Sequence, residues 1–319
     1  MPTRRHTLLS LLAICGLSLA GLPARAQKPA TALRIGYQKS STLLTILKLR
    51  GQLEQDLAPL GVKVSWHEFS SGLPLLEALN VGGIDLSADV ADTVPVFAQA
   101  AGAQLTYFAQ EAPSPSAQAI VVRSDAPFNT VADLKGKKIA LTKAAGSHYL
   151  LIAALDKAGL RFKDIEPAYL TPADGRAAFE RGSVAAWVTW DPYLAGVQRQ
   201  SSVRILADGR NIADYQRYYL ASTAYADAHP DVLAAVFEAL RKTGKWVKQS
   251  PKEAAQLLAP AWGLDVSTVE LANSRRSYDV RAVLKESLGE QQRIADAFFG
   301  EGLLPRKLDA TAVPLWRLR

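Results

Sequence analysis

Four short segments of this 319-residue chain combine hydroxyl, amide and glycine residues where helices are predicted to begin. A helix N-terminus presents free backbone N–H groups and the positive end of the helix dipole, so it can hold an anion without a full charge. This chemistry suits a sulfonate, phosphate or carboxylate group. Ordinary helix capping would explain any one segment alone, but the four together favour an oxyanion site. The segments are Gln38-Lys39-Ser40-Ser41, Ser70-Ser71-Gly72, Asp92-Thr93 and Gly146-Ser147-His148.

Aromatic residues accompany these segments and could enclose the organic part of a ligand. Trp190 and Tyr193 lie close to Asp191, and Tyr149 follows the fourth segment. Trp190 stands in a predicted loop, so we expect it to line a pocket. Trp187 stands inside the preceding strand, so we expect it to pack in the core.

Signatures of catalysis are sparse in this sequence. The three histidines after residue 26 have no metal-ligand spacing, and the Gly-x-Ser-x-Gly, P-loop and Gly-x-Gly-x-x-Gly patterns are absent. Adjacent residues on a helix do not face each other, so Ser147 and His148 do not form a nucleophile pair. His148 is either a donor to a ligand or a packing residue at the helix start. We expect no enzyme activity, no catalytic residue, no metal site and no cofactor.

The first 26 residues have the features of an export signal. Arg4 and Arg5 precede an apolar run, and Ala24-Arg25-Ala26 is a small-residue cleavage site. The run is short for a retained membrane anchor, and the bulky Ile14 before Cys15 does not fit a lipoprotein signal. We therefore predict a cleaved signal peptide over residues 1–26 and a periplasmic location, whether by general or by twin-arginine export.

The charge of the remaining chain is mildly positive. It has 34 Lys and Arg residues against 30 Asp and Glu residues, and it has no cysteine. This balance fits a protein that meets anions and does not demand nucleic acid. The absence of cysteine rules out a disulfide framework and thiolate chemistry.

Residues 75–99 and 177–198 repeat one structural plan. Each stretch predicts a helix that ends at a glycine (Gly82 or Gly182), a short apolar strand, a loop with Asp and Pro, and a second helix. The plan suggests two similar α/β lobes that offer strand-to-helix loops to a shared cleft, because ligands bind at the carboxyl ends of strands in open α/β sheets. The alternative is that any two βα units look alike.

The order of the predicted elements divides the chain between these lobes. Strands that alternate with helices predict mainly parallel sheets flanked by helices. The Pro- and Ser-rich residues 111–116 indicate a crossing to the second lobe, and residues 218–221 indicate the return. The helical tail after His229 is expected to pack on the first lobe and support the hinge. Lobe one is thus predicted as residues 27–117 plus 221–319, and lobe two as residues 118–220.

Several motifs resemble the aliphatic sulfonate-binding proteins of ABC importers, within the group that also holds the taurine- and nitrate-type binding proteins. The resemblance covers nearly all of the chain after the signal. The motifs are IGYQK (35–39), FSSGLPLLEAL (69–79), PVFAQAAG (95–102), ADLKGKK (132–138), SHYLL (147–151), TPADGRAAFERG (171–182) and WDPYL (190–194).

The resemblance implies a type II periplasmic binding protein fold, with two lobes and a two-strand hinge. It implies a monomer that captures a sulfonate between the lobes and delivers it to a membrane permease for sulfur uptake. The alternatives are a binding protein for taurine, nitrate or another small organic anion, and an enzyme on the same scaffold that uses His148. The ligand-binding residues that the resemblance implies are Gln38, Ser71, Gly72, Asp92, Ser147, His148, Trp190 and Asp191. We add two neighbours to the predicted site, Thr93 and Tyr149.

One implied ligand loop departs from the family pattern. The family usually has Gly-Asp-Ala-Pro-Pro there, whereas this chain has Ala91-Asp92-Thr93-Val94-Pro95. The chain loses a glycine and a proline and gains a hydroxyl, so we expect the substrate range to differ. Asp89 is an alternative acidic residue for the lining of the same cleft.

Overall fold

Two β-sheets organise residues 31–317, the part of the chain that the computed structural model describes. The predicted signal peptide at residues 1–26 lies outside these residues. The strands are β1 (Thr31–Gln38), β2 (Val62–Phe69), β3 (Leu86–Ala91), β4 (Leu105–Glu111), β5 (Gln118–Arg123), β6 (Lys138–Leu141), β7 (Glu166–Tyr169), β8 (Ala186–Trp190), β9 (Val203–Asp208), β10 (Arg217–Ser222) and β11 (Val280–Arg281).

Helices flank both sheets, as the alternation of elements predicts. They are α1 (Thr42–Arg50), α2 (Gln52–Leu57), α3 (Gly72–Asn80), α4 (Thr93–Ala100), α5 (Gly146–Lys157), α6 (Pro172–Glu180), α7 (Tyr193–Gln200), α8 (Thr223–Ala228), α9 (Pro230–Gln249), α10 (Pro251–Trp262), α11 (Val266–Ser274) and α12 (Gly289–Gly300). Within residues 31–317, no helix combines the length and the apolar content that a membrane crossing requires.

Each sheet is mixed, with four strands that run in one direction. The first sheet has the order β11-β4-β10-β3-β1-β2, and the second has the order β7-β6-β8-β5-β9. β1 pairs in parallel with β2 and β3, and β6 pairs in parallel with β7 and β8. β10 and β5 run antiparallel to both of their neighbours. These two strands are the ones that enter each sheet directly after a crossing between the lobes.

The internal repeat is present as two helix–strand–helix units. α3, β3 and α4 form the first unit, and α6, β8 and α7 form the second. Gly82 and Gly182 follow the first helices with φ of 73° and 72°, in the left-handed region that favours glycine. The sequence predicts strand starts at Ile84 and Val184, whereas the strands begin two residues later, at Leu86 and Ala186, and continue to the loop. A strand buried on both faces is apolar throughout, so its sequence shows no alternation that would mark its start.

Two crossing segments, residues 112–117 and 209–216, join the sheets and pair with each other. The Gly209 N–H donates to the Pro115 carbonyl at 3.0 Å, and the Ser114 N–H donates to the Asp214 carbonyl at 3.1 Å. These bonds tie the predicted hinge together. β10 begins at Arg217 and belongs to the first sheet, and it contains residues 218–221, which the sequence indicates as the return.

Both faces of each sheet are covered. In the second sheet, Ile120 packs in one core and Val121 packs in the core on the opposite face. The tail helix α12 contacts both lobes, because it packs against α4 and α5. Its Phe298 ring lies 4.9 Å from the Phe97 ring of α4 and 4.8 Å from the His148 ring of α5. The tail therefore supports both lobes, whereas the sequence predicted packing on the first.

Gly209→Ala tests how closely the hinge segments pack. A Cβ at this position would lie 2.5 Å from the Pro115 oxygen and 2.7 Å from the Ala213 oxygen. Both contacts are with backbone atoms, so we expect urea denaturation to show a loss of about 1–3 kcal/mol in the free energy of unfolding. The matched control is Gly289→Ala, where no atom lies within 4 Å of the added carbon. Equal stability of the two variants would contradict the tight pairing of the crossings.

Candidate functional site

The predicted ligand-binding residues lie at or just after the carboxyl ends of five strands. Gln38 ends β1, and Trp190 ends β8. The others stand at the starts of α3, α4 and α5 or in the loop after β8; they are Ser71, Gly72, Asp92, Thr93, Ser147, His148, Tyr149 and Asp191. The predicted residues therefore lie at strand ends and helix starts, which are positions where open α/β sheets bind ligands.

The strand ends of the two lobes meet at one interface. A Cβ at Gly146 of α5 would lie 2.9 Å from the Ala91 Cβ of the first lobe. Trp190 and Ala145 of the second lobe pack in one apolar cluster with Val94 of the first. The starts of α4 and α5 therefore lie together between the lobes.

Two serine hydroxyls of the predicted site, one from each lobe, make no hydrogen bond with the described part of the chain. Ser147 is fully buried in the first turn of α5, and its Oγ makes no hydrogen bond. Ser71 precedes α3, but its side chain does not cap the helix. Ser41 differs, because its Oγ accepts a bond from the Gln38 N–H at 3.1 Å. Ser71 and Ser147 thus keep donors that a bound anion could use.

Both predicted acidic residues are engaged by the protein itself. Asp92 accepts bonds from the backbone N–H groups of Thr93 and Gln216, each at 2.9 Å. Burial raises its pKa to about 7. Asp191 accepts a bond from the Ala195 N–H at 3.0 Å and pairs with Arg275 at 3.1 Å. These contacts give the two carboxylates a positioning role in their loops.

The ion pair between Asp191 and Arg275 crosses between the lobes. Asp191 lies in the loop between β8 and α7, whereas Arg275 directly follows α11 in the C-terminal part of the first lobe. Arg275 also donates to the Gln198 Oε1 of α7. Both members of the pair are mostly buried. The pair therefore fastens the second lobe to the first in the arrangement seen here.

His148 is packed among aromatic rings. Its ring centroid lies 5.1 Å from Phe162 and 4.8 Å from Phe298. The Ala144 N–H donates to its Nδ1 at 3.2 Å, and its Nε2 has no partner in the described chain. Burial, with a smaller contribution from the charge of Lys143, lowers its pKa to about 3, so the ring is neutral. These contacts favour the packing role of His148 over the donor role. The next residue, Tyr149, is also buried, and burial raises the pKa of its hydroxyl.

The two tryptophans occupy different environments. Trp187 is buried in the second lobe beside the Phe179 ring, at 6.3 Å. Trp190 packs edge to face against Tyr193 at 5.7 Å and contacts first-lobe residues through its cluster. The predicted core position of Trp187 is confirmed, and Trp190 lies at the interface between the lobes.

A buried network of four charged residues lies beneath the β1–α1 loop. Asp89 binds Arg217 at 2.5 Å and Arg276 at 2.9 Å, and Arg276 also binds Glu111 at 2.6 Å. Arg276 donates further to the Ser40 carbonyl at 2.9 Å, and so holds one donor-rich segment in place. Asp89, considered above as a lining residue, is fully buried within this network.

Sequence reasoning missed Glu111, Arg217 and Arg276, and it considered Asp89 only as a lining residue. For Asp89 in β3, Glu111 at the end of β4 and Arg217 at the start of β10, the available signal was a charged residue in an otherwise largely apolar strand. Such charges are costly to bury unless they are paired. The fourth member, Arg276, follows a helix end and carries no signal of its own. Within residues 31–317, no group of three or more His, Cys, Asp or Glu side chains could hold a metal ion.

Comparison with known proteins yields consistent matches. The model of the family described as "NMT1/THI5 like" matches residues 60–254. The crystal structure of the periplasmic aliphatic sulphonate binding protein SsuA from Escherichia coli shares 41% identity, with a TM-score of 0.81 over 90% of this chain and 97% of that one. The alkanesulfonate-binding protein SsuA from Xanthomonas axonopodis pv. citri, bound to MOPS, shares 39% identity, with a TM-score of 0.82 over 89% of this chain and 97% of that one.

Arg276→Met tests the buried charge network. The change leaves Asp89 and Glu111 short of a cation in a buried site, so we expect a loss of about 3–5 kcal/mol in the free energy of unfolding. Urea denaturation measures it. The control is Arg281→Met, since Arg281 is exposed and pairs with the exposed Asp279; this change should cost less than about 0.5 kcal/mol. A small loss for both variants would show that the network contributes little.

The neutral state of His148 predicts a pH dependence of stability. Between pH 6.5 and about 3, the unfolded chain binds a proton at this residue and the folded chain does not. Stability should therefore fall as the pH falls through this window, by up to about 1.4 kcal/mol per pH unit. Urea denaturation between pH 4.5 and 7.5 should give a shallower slope for His148→Phe than for the wild type. Identical slopes would contradict the prediction, because they would mean that His148 gains its proton over the same pH range in the folded and the unfolded chain.

Proposed function

The chain belongs to the NMT1/THI5-like family, and from that membership and the geometry of the cleft we propose that it binds aliphatic sulfonates between its two lobes. We propose further that it acts as a monomer in the periplasm, after cleavage of its signal peptide, and hands the ligand to the permease of an ABC importer for sulfur uptake. The relatives described above support this proposal, since both are named for sulfonate binding.

The single observation that carries the proposal is the unpartnered hydroxyl of Ser147. It is fully buried at the start of a twelve-residue helix, and the residue before it, Gly146, lies against the first-lobe residue Ala91. A buried hydroxyl without a partner costs free energy, and a bound oxyanion would remove that cost. Ser71 offers a second hydroxyl from the first lobe. An anion that engages both residues contacts both lobes at once.

The mechanism is a shift in population between open and closed arrangements. A ligand that contacts both lobes binds the closed arrangement better than the open one, and so favours closure. The paired crossings at residues 112–117 and 209–216 are the segments about which the lobes would move. Neutral donors and helix N-termini hold the sulfonate, so closure requires no proton transfer.

The alternative of an enzyme that uses His148 finds little support in the geometry. The Nδ1 atom accepts a backbone bond and the ring is enclosed by aromatic side chains, so no nucleophile is placed against it. We therefore propose binding without turnover. Incubation of the protein with a sulfonate ligand should return the ligand unchanged.

Ser71→Ala/Ser147→Ala tests the proposed site. The double variant removes two hydroxyl donors to a charged group, so we expect affinity for an alkanesulfonate such as 1-butanesulfonate to fall about 100-fold. Isothermal titration calorimetry measures the affinity. The melting temperature of the free protein should change little, because neither hydroxyl bonds to the described chain.

The control is Ser65→Ala on the exposed face of β2, which should leave affinity unchanged. A folded double variant with wild-type affinity would remove these two hydroxyls from the site. A thermal-shift screen of sulfonates, taurine, nitrate and carboxylates would identify the ligand class, since stabilisation grows with ligand concentration over the dissociation constant.

A further inference from the structure

A cavity of about 230 Å³ lies between the lobes beside the proposed sulfonate site. Its walls come from both lobes. Lys39 of the β1–α1 loop and Trp262 at the end of α10 line it from the first lobe, and Arg176 of α6 and Tyr193 of α7 line it from the second. A ligand group in this cavity would therefore contact both lobes, as the sulfonate group does in the proposed function.

Two residues in the wall of the cavity adjoin residues of the proposed site. Lys39 directly follows Gln38, a predicted ligand residue at the end of β1. On the other lobe, Tyr193 packs edge to face against Trp190 at 5.7 Å. A ligand whose head group lies at the helix starts could thus extend its other end past Trp190 into the cavity.

Lys39 brings to this space a cation that has no direct hydrogen-bond or ion-pair partner. Its amino group makes no hydrogen bond or ion pair with the described residues, and the side chain is about half-buried. Burial lowers the pKa of Lys39, the charge of Glu68 raises it, and the charge of Arg176 lowers it further. Lys39 therefore lacks the direct anionic partner that a partly buried cation favours.

The remaining charges around the cavity are largely paired with each other. Arg176 donates to Glu180 Oε1 at 2.9 Å and to Gln200 Oε1 at 2.7 Å. Glu180 is thereby satisfied, and the bond from Arg176 lowers its pKa. Glu68 accepts a bond from the Tyr37 hydroxyl at 3.1 Å. The cation without a direct partner in this group is Lys39.

A neutral donor is also without an acceptor here. Trp262 is buried, and its indole N–H has no partner in the described chain. Buried donors of this kind are normally satisfied. The cavity is therefore lined by the side chains of Lys39 and Trp262 from the first lobe and of Arg176 from the second, two of which carry a positive charge.

From these observations we propose that the cavity is a second subsite, which binds a carboxylate at the far end of a sulfonate ligand. The preferred ligands are then sulfocarboxylates with a short carbon chain, in preference to alkanesulfonates with one charge. This proposal rests on the proposed function, because it assumes that the sulfonate group lies at the helix starts.

The test compares ligands of matched chain length. Sulfoacetate, 3-sulfopropanoate and 4-sulfobutanoate are titrated calorimetrically against methanesulfonate, ethanesulfonate and 1-propanesulfonate. We expect at least one of the sulfocarboxylates to bind about tenfold more tightly than its partner, since a charge-assisted bond forms in a partly buried site. Lys39→Met should remove that difference within each matched pair of ligands. Lys39→Arg should restore part of it.

The control is Lys63→Met, on an exposed position of β2, which should retain the full preference. The proposal is overturned if every sulfocarboxylate binds no better than its matched alkanesulfonate, or if Lys39→Met keeps the preference. In either case, if the alkanesulfonates still bind to the wild type, the proposed function stands and only the subsite is rejected. If none of the six compounds binds to the wild type, the proposed function fails and the subsite fails with it. Melting temperatures of the variants verify that each is folded.

Discussion

The pairing of Arg217 and Arg276 with Asp89 and Glu111 is the constraint on which the first lobe depends. These four side chains are buried between the sheet and the C-terminal tail. Two cations and two anions balance, so the interior carries no net charge there. Removal of any member would leave an uncompensated charge out of water, which costs several kcal/mol. The network therefore fixes the positions of β3, β4, β10 and the segment after α11 relative to one another.

The network also reaches the proposed ligand site through the backbone. Arg276 donates to the Ser40 carbonyl, and Arg217 donates to the Asp89 carbonyl, to which the Gln38 amide also donates. These hydrogen bonds connect the loop that precedes α1 to the buried charged side chains. Next to Arg276 in sequence, Arg275 binds Asp191 of the second lobe. Two consecutive arginines therefore serve two tasks, one inside the first lobe and one across the gap between lobes.

Local patterns predicted much of this arrangement, because their causes are local. Gly82 and Gly182 mark helix ends through a backbone angle that other residues avoid, and donor-rich segments mark helix starts. Strand direction after a crossing, as in β5 and β10, depends on which neighbours a strand meets, and no single segment encodes it.

Pairings between distant residues were the part that the sequence could not predict. Arg276 and Asp89 are far apart along the chain, and nothing in the sequence around Arg276 distinguishes it from an ordinary surface charge. Asp92 and Asp191 stood out as acidic residues in predicted ligand loops, and the structure shows that backbone N–H groups and Arg275 already occupy their oxygens. Identifying which polar atoms are left free needs the three-dimensional partners of every other atom.

The internal balance of charge has a consequence for how an anion is held and released. If Arg217 or Arg276 faced the ligand without a carboxylate partner, a buried ion pair would form with the sulfonate, and such pairs are strong when both charges are dry. A carrier must release its ligand, so it needs contacts that are lost when the lobes separate. In the proposed site the hydroxyls of Ser71 and Ser147 would meet that need, because they come from opposite lobes and carry no charge. The pairing of the arginines with Asp89 and Glu111 is consistent with a proposed site in which neutral donors, and no arginine of this network, hold the sulfonate.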